Sequence, residues 1–236
     1  MPLKKEFKAI LKREIERIPI RRIAVWTIIF LITAFLLIAL FIAFFSTAEF
    51  EAILSRELQE ERNPAMDFYM KATSVFGETH VATPMIIGSA ILFAVFGYIK
   101  EGIFMLFTSV ASIINFGIKA LVNRQRPTGD LVEILGETSH QSFPSGHTVH
   151  YVVFFGMFMI LFFQIRKINL WTRLFAALIC LFLIFSVPFS RVYLGAHWAT
   201  DVLAGFIEGV VLLSGLLYLY FRKTHSWNKL NRRGYN

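Results

Sequence analysis

His197 and Asp201 lie four residues apart in the segment Ser190-Arg191-Val192-Tyr193-Leu194-Gly195-Ala196-His197-Trp198-Ala199-Thr200-Asp201. On a helix they share a face, so the carboxylate can hold one ring nitrogen and free the other as a nucleophile. A second segment, Lys119-Ala120-Leu121-Val122-Asn123-Arg124-Gln125-Arg126-Pro127, carries two cations seven residues apart, two helical turns along one face, a spacing that can clamp a multiply charged oxyanion. Pro127 biases Arg126 away from helix and is expected to end the element there. A third, Ser142-Phe143-Pro144-Ser145-Gly146-His147, precedes a long apolar run. Ser145 can cap the helix, Gly146 lets backbone approach a ligand, and the free N–H groups of the first turn form an anion site with His147 at its rim. Each segment alone also reads as a helix end meeting lipid headgroups or as a structural His–Asp cap. Three cations, two histidines and one carboxylate near hydrocarbon are costly without a shared purpose.

Those segments are positioned by apolar runs. Of the 236 residues, 56% are hydrophobic and 26 are phenylalanine, which is too much apolar surface for a soluble domain of this length to bury. Candidate spans run at about 23–45, 82–99, 102–118, 148–165, 171–189 and 201–221, and the first is long enough for a hydrocarbon core of about 30 Å. It is too long for a signal-peptide core and is expected to remain as an anchor. The fold class is therefore all-α, a polytopic membrane bundle of six transmembrane helices. The organisation is a basic amphipathic segment at 1–22, with Phe7, Ile10, Leu11, Ile15 and Ile18 at helical spacing, a six-span domain at 23–221 and a basic tail at 222–236.

The formal charge of +8 is spread over the ends and short connectors, not gathered in one patch, which speaks against a nucleic-acid partner. With both tails inside, 17 lysines and arginines fall on the cytoplasmic side and seven on the other. All three chemical segments then lie on the extracytoplasmic side. The single cysteine, Cys180, permits no intrachain disulfide. Asn115, one turn before Lys119, is expected to orient the lysine or pack between helices. Glu208 lies on the Asp201 face within the membrane, its partner unnamed, and Gly205 with Gly209 reads as helix packing. His80, His140 and His150 match no motif, and 49–63 reads as an interfacial helix near a substrate entrance.

Lys119 to Pro127, Pro144 to His147 and Ser190 to Asp201 together resemble the signature of the type 2 phosphatidic acid phosphatases: a lysine, six residues and Arg-Pro; then Pro-Ser-Gly-His; then Ser-Arg, five residues, His, three residues and Asp. The resemblance covers the second half of the chain and has no departure from the pattern. It implies that His197 attacks phosphorus, that Asp201 orients it, and that His147 protonates the leaving oxygen and then activates water. It further implies that Lys119, Arg126, Arg191, Ser145, Gly146 and Ser190 hold the phosphate. Three fixed cations can do what magnesium does elsewhere, so neither metal nor cofactor is implied. The implied partners are the bilayer and a lipid substrate, such as phosphatidylglycerol phosphate, phosphatidate or undecaprenyl diphosphate, in a multi-pass protein of the cell membrane. Oligomeric state is left open. A phosphotransferase using the same site, and a catalytically silent lipid-binding or transport protein, are the other readings.

Overall fold

The computed structural model describes residues 20–45, 47–136 and 141–233. The expected amphipathic segment at 1–22 lies almost wholly outside them. The regular structure of the described residues is all helix: α1 (Ile20–Phe44), α2 (Ala48–Gln59), α3 (Pro64–Ser74), a 3-10 turn (Val75–Gly77), α4 (Thr79–Val95), α5 (Ile99–Phe107), α6 (Ser109–Val122), α7 (Gly146–Gln164), α8 (Leu170–Tyr193) and α9 (Ala199–Arg233).

Five stretches are long and apolar enough to cross a bilayer: α1, α5 with α6, α7, α8 and the first part of α9. The sixth is α4 with α3 before it, a pair bent by 55°. Counted as one span, the bent pair brings the total to six, in an integral membrane protein. The expected second span, 82–99, begins three residues earlier and stops at Val95, because Gly97 at φ 85° turns the chain into α5. The expected third span, 102–118, extends from Ile99 to Val122. Asn123, in the left-handed region at φ 51°, ends it, a conformation that asparagine tolerates.

α7 is the central helix and the most buried span, packed between α8 and α9. In lipid there is little hydrophobic drive between helices, so close approach rests on small residues. A Cβ on Gly209 would come 2.7 Å from Cβ of Val152, and one on Gly205 would come 2.7 Å from the Ser145 carbonyl. α9 therefore lies directly against α7 and its leading loop, as the small-residue pair suggested. α1, which packs on α9, is otherwise exposed along its length, as a helix facing lipid should be. At the end remote from the chemical segments, Lys100 Nζ donates to the Tyr220 carbonyl at 2.9 Å and sits 3.8 Å from the centre of that ring. Tyr220 Oη donates to Glu101 Oε1 at 2.7 Å, so the α4–α5 hairpin is pinned to α9.

The 49–63 segment does form helix, and it exposes Phe50, Ile53 and Leu54, but its buried face is polar, with Glu51 and Ser55 among the least accessible side chains. Asn63 caps α3 by accepting from the Met66 N–H at 2.9 Å, with Pro64 at the first helical position, where its missing N–H is harmless.

Candidate active site

The site lies where the C-terminal ends of α6 and α8 meet the N-terminal ends of α4, α7 and α9. A cavity of about 590 Å³ opens there, lined by Lys119, Arg126, Gly146, His147, Arg191 and His197. From these it continues along Thr83, Ile87, Leu106 and Ile113, between α4 and the α5–α6 span.

Each side chain is held by its element. Lys119, in the last turn of α6, is buried and donates to the Gln141 carbonyl at 2.7 Å and to that of Ser142 at 3.2 Å. Beyond Asn123 the chain has no regular structure, and Arg126 reaches the Ala196 carbonyl at 2.6 Å, with the same nitrogen 3.4 Å from His197 Nε2. Arg191, at the end of α8, donates to Ser74 Oγ at 2.6 Å. The loop before α7 is tied to α9 by a bond from the Ser145 N–H to the Asp201 carbonyl, 2.9 Å. His197 follows a turn at Gly195, whose φ of 63° and the Glu133 carbonyl 2.4 Å from an added Cβ together require glycine.

His197 is 1% exposed, with Nδ1 toward Asp201 and Nε2 toward Arg126 and the cavity. Burial, and after it the charges of Arg126, Arg191 and Lys119, hold its pKa well below the usual imidazole value. The ring is therefore neutral at physiological pH, as a nitrogen nucleophile must be.

Three expectations differ from the structure. Asp201 Oδ2 lies 3.6 Å from His197 Nδ1, beyond hydrogen-bond range. That oxygen accepts from the Ser142 hydroxyl and the Trp198 N–H, and Ser142 Oγ is itself 3.5 Å from Nδ1, so a serine stands between the pair. Ser145 occupies the cap position without a side-chain cap bond; its hydroxyl accepts from Thr148 at 3.0 Å. Ser190 is fully buried and donates to the Met70 carbonyl at 2.6 Å, tying α8 to α3 instead of facing the cavity. No residue of α2 lines the cavity, though Ala48 at its start borders a neighbouring pocket together with Arg126.

The side chains that the sequence did not single out form a tier behind Asp201. Arg124 Nη1 meets Asp201 Oδ1 at 2.5 Å, and Nη2 meets Glu51 Oε1 at 2.5 Å. Glu51 Oε2 accepts from the Thr200 N–H and hydroxyl at 2.9 and 2.8 Å. Arg124 sits inside the Lys119–Pro127 segment and Ser142 inside the segment before α7, so both were within sight. Glu51 carried no signal. Glu208 finds its partner in Asn115, whose amide donates at 2.9 Å. An added Cβ on Gly146 would be 3.1 Å from the Asn115 oxygen, so Asn115 also backs the start of α7. His150 lines the cavity, His80 is exposed on the surface, and His140 lies outside the described residues.

Fold and cavity together define a polytopic membrane protein with a cationic pocket among its helix ends. The family model of the PAP2 superfamily matches residues 100–225, more than half of the chain, and the chain belongs to that superfamily. Phosphatidylglycerophosphatase B of Bacillus subtilis strain 168 is 30% identical over 162 residues, 64% of this chain and 73% of that protein. The fold is similar to the crystal structure of a transmembrane PAP2-type phosphatidylglycerolphosphate phosphatase from Bacillus subtilis, with TM-score 0.72 and 24% identity over 83% of this chain and 96% of the other. It is also similar to that of Aquifex aeolicus LpxE, with TM-score 0.56 and 22% identity over 75% and 98%.

Proposed function

We propose that this membrane phosphatase hydrolyses a phosphate monoester or diphosphate of a lipid through a phosphohistidine on His197, without a metal. The observation that carries the reading is the single cavity in which a buried, neutral His197 faces Lys119, Arg126, Arg191, the start of α7 and His147. Phosphoryl transfer asks little covalent work of a protein beyond a nucleophile; it asks for position and for positive charge around the equatorial oxygens. Lys119, Arg126 and Arg191, with the backbone at Gly146, supply that charge. His197 Nε2 bonds phosphorus, Asp201 acts on the ring through Ser142, and His147 gives a proton to the leaving oxygen, then takes one from the attacking water.

The extension of the cavity along Thr83, Ile87, Leu106 and Ile113 supports sideways entry from the bilayer, with the phosphate at headgroup depth and the tails left in lipid. The relative's name puts phosphatidylglycerol phosphate first among substrates, ahead of phosphatidate and undecaprenyl diphosphate. The lysine and arginine distribution supports cytoplasmic tails and an extracytoplasmic site.

The test is release of inorganic phosphate by the purified protein from those three lipids, with a chelator present. Release from at least one, abolished in His197→Ala, is the expected result. No release from any lipid would overturn the reading, loss on chelation would overturn its metal-free part, and phosphate appearing on an organic acceptor would make the enzyme a transferase.

A further inference from the structure

The break between α3 and α4 places a carboxylate against His147. Glu78 is the one residue between the 3-10 turn and α4, in extended backbone at φ −69° and ψ 134°, where the helix axes turn by 55°. Its side chain lines the cavity, and Oε1 lies 3.1 Å from His147 Nε2. A carboxylate only accepts, so Nε2 carries the hydrogen of that contact.

The approach is shaped for it. A Cβ on Gly77 would fall 2.2 Å from His147 Cδ2 and 2.7 Å from Cγ, so the imidazole rests on bare backbone beside Glu78, where no larger residue fits without moving it. The other charged or titratable groups acting on this ring come from different elements: Arg191 from α8, Arg126 from the segment after α6, His150 from α7 itself and His197 from the turn before α9. Glu78 is the acidic group in that set.

We propose that Glu78 is a positioning residue for His147, holding the Nε2 hydrogen and leaving Nδ1 as the atom that exchanges protons with the reaction. It rests on the reading of His147 as acid and base. In the first step the His197 nitrogen bonds phosphorus, the bond from phosphorus to the leaving oxygen breaks, and the Nδ1 proton passes to that oxygen. In the second, water bonds phosphorus and yields a proton to Nδ1, and the phosphorus–nitrogen bond to His197 breaks. Through both steps the hydrogen stays on Nε2, donated to Glu78, whose negative charge stabilises the ring whenever it is cationic. This repeats, on a second histidine and with the nitrogens exchanged, the logic by which an acidic partner fixes a tautomer.

The test compares wild type, Glu78→Gln, Glu78→Asp and His147→Ala, as full-length protein in mixed micelles, on two single-chain substrates. Dodecyl phosphate has a leaving oxygen that needs a proton; 4-dodecyl-2-nitrophenyl phosphate, the ester of an acidic phenol, has one that departs without it. The readout is kcat/KM, which reports the steps up to formation of the phosphohistidine. Glu78→Gln is expected to lower kcat/KM on the alkyl ester by about 10- to 100-fold, at or below the lower end of what general acid catalysis supplies, because the acid itself remains. It should lower that on the aryl ester by less than about threefold, and Glu78→Asp should recover most of the alkyl loss. His147→Ala is expected to show the same contrast, enlarged. Equal losses on both esters in Glu78→Gln, or none, would overturn the role of Glu78. A His147→Ala variant without the contrast would overturn the acid role of His147 on which it depends, and a wild type inactive on both esters would overturn the phosphatase reading itself.

Discussion

At the scale of single residues, the chemistry turns on keeping His197 uncharged amid cations. Its depressed pKa has a consequence for stability. The unfolded chain takes up a proton at this position near pH 6.5 while the folded chain refuses it, so folding weakens as pH falls below that value. Thermal unfolding followed between pH 7.5 and 5 should show wild type losing its midpoint faster than His197→Ala, with the gap widening toward the acid end; parallel curves would mean that the native ring takes up its proton as readily as the unfolded chain does. Ser142→Ala removes the hydroxyl that touches both Asp201 and His197. We expect kcat to fall about 10-fold with KM little changed, the cost of roughly one hydrogen bond that matters in the transition state. Residue spacing made the motif positions legible but not the directions in which side chains point. Ser190 precedes Arg191 in the motif, yet adjacent helical residues face different neighbours, and its hydroxyl meets the Met70 carbonyl while Arg191 lines the cavity.

At the scale of elements, the site is a meeting of helix ends, and its rigidity depends on what lies behind them. Arg124 is sandwiched between two buried carboxylates, one on α2 and one on α9. Replacing it with alanine leaves both unpaired, which costs about 3–5 kcal/mol for a buried pair of this kind. A large drop in the thermal midpoint is expected, partly recovered when Glu51→Gln removes one of the stranded charges; unchanged stability would show that water reaches both acids. Gly209→Leu should wedge α9 from α7 at Val152. Because the Ser145 N–H bonds the Asp201 carbonyl, that wedge is expected to reach the chemistry: kcat should fall in a protein that remains folded by circular dichroism. The helices themselves were legible, since runs of uncharged residues of membrane length have few other uses. Glu51 was not, because α2 reads by its exposed Phe50, Ile53 and Leu54 as a surface helix, and only tertiary contacts show that its polar face is the buried one.

At the scale of the molecule, the bundle agrees with what the hydropathy pattern implied, and membership of the PAP2 superfamily with the resemblance that the three segments carry. Among the described residues the count of spans rests on α3 and α4: six if the bent pair crosses, five if it does not. An even number puts both tails on one side. Single cysteines introduced as Lys5→Cys and Lys229→Cys, in a background with Cys180→Ala, should therefore react together or be shielded together with an impermeant thiol reagent applied to intact cells. Opposite accessibility would show that the bent pair dips and returns. For the entry route, Ile113→Trp is expected to suppress turnover of long-chain lipid phosphates severalfold more than that of a short water-soluble ester, since Ile113 lines the cavity beyond the phosphate end.

The pin formed by Lys100, Tyr220 and Glu101 gives that route a fulcrum. The two spans that flank the cavity are fastened near their turn, so the pair works like a clothes-peg, able to part only at its jaws. The phosphate site lies at the jaws, farthest from the fastening, so on the proposed route a long tail leaves through the open side instead of threading past the pin.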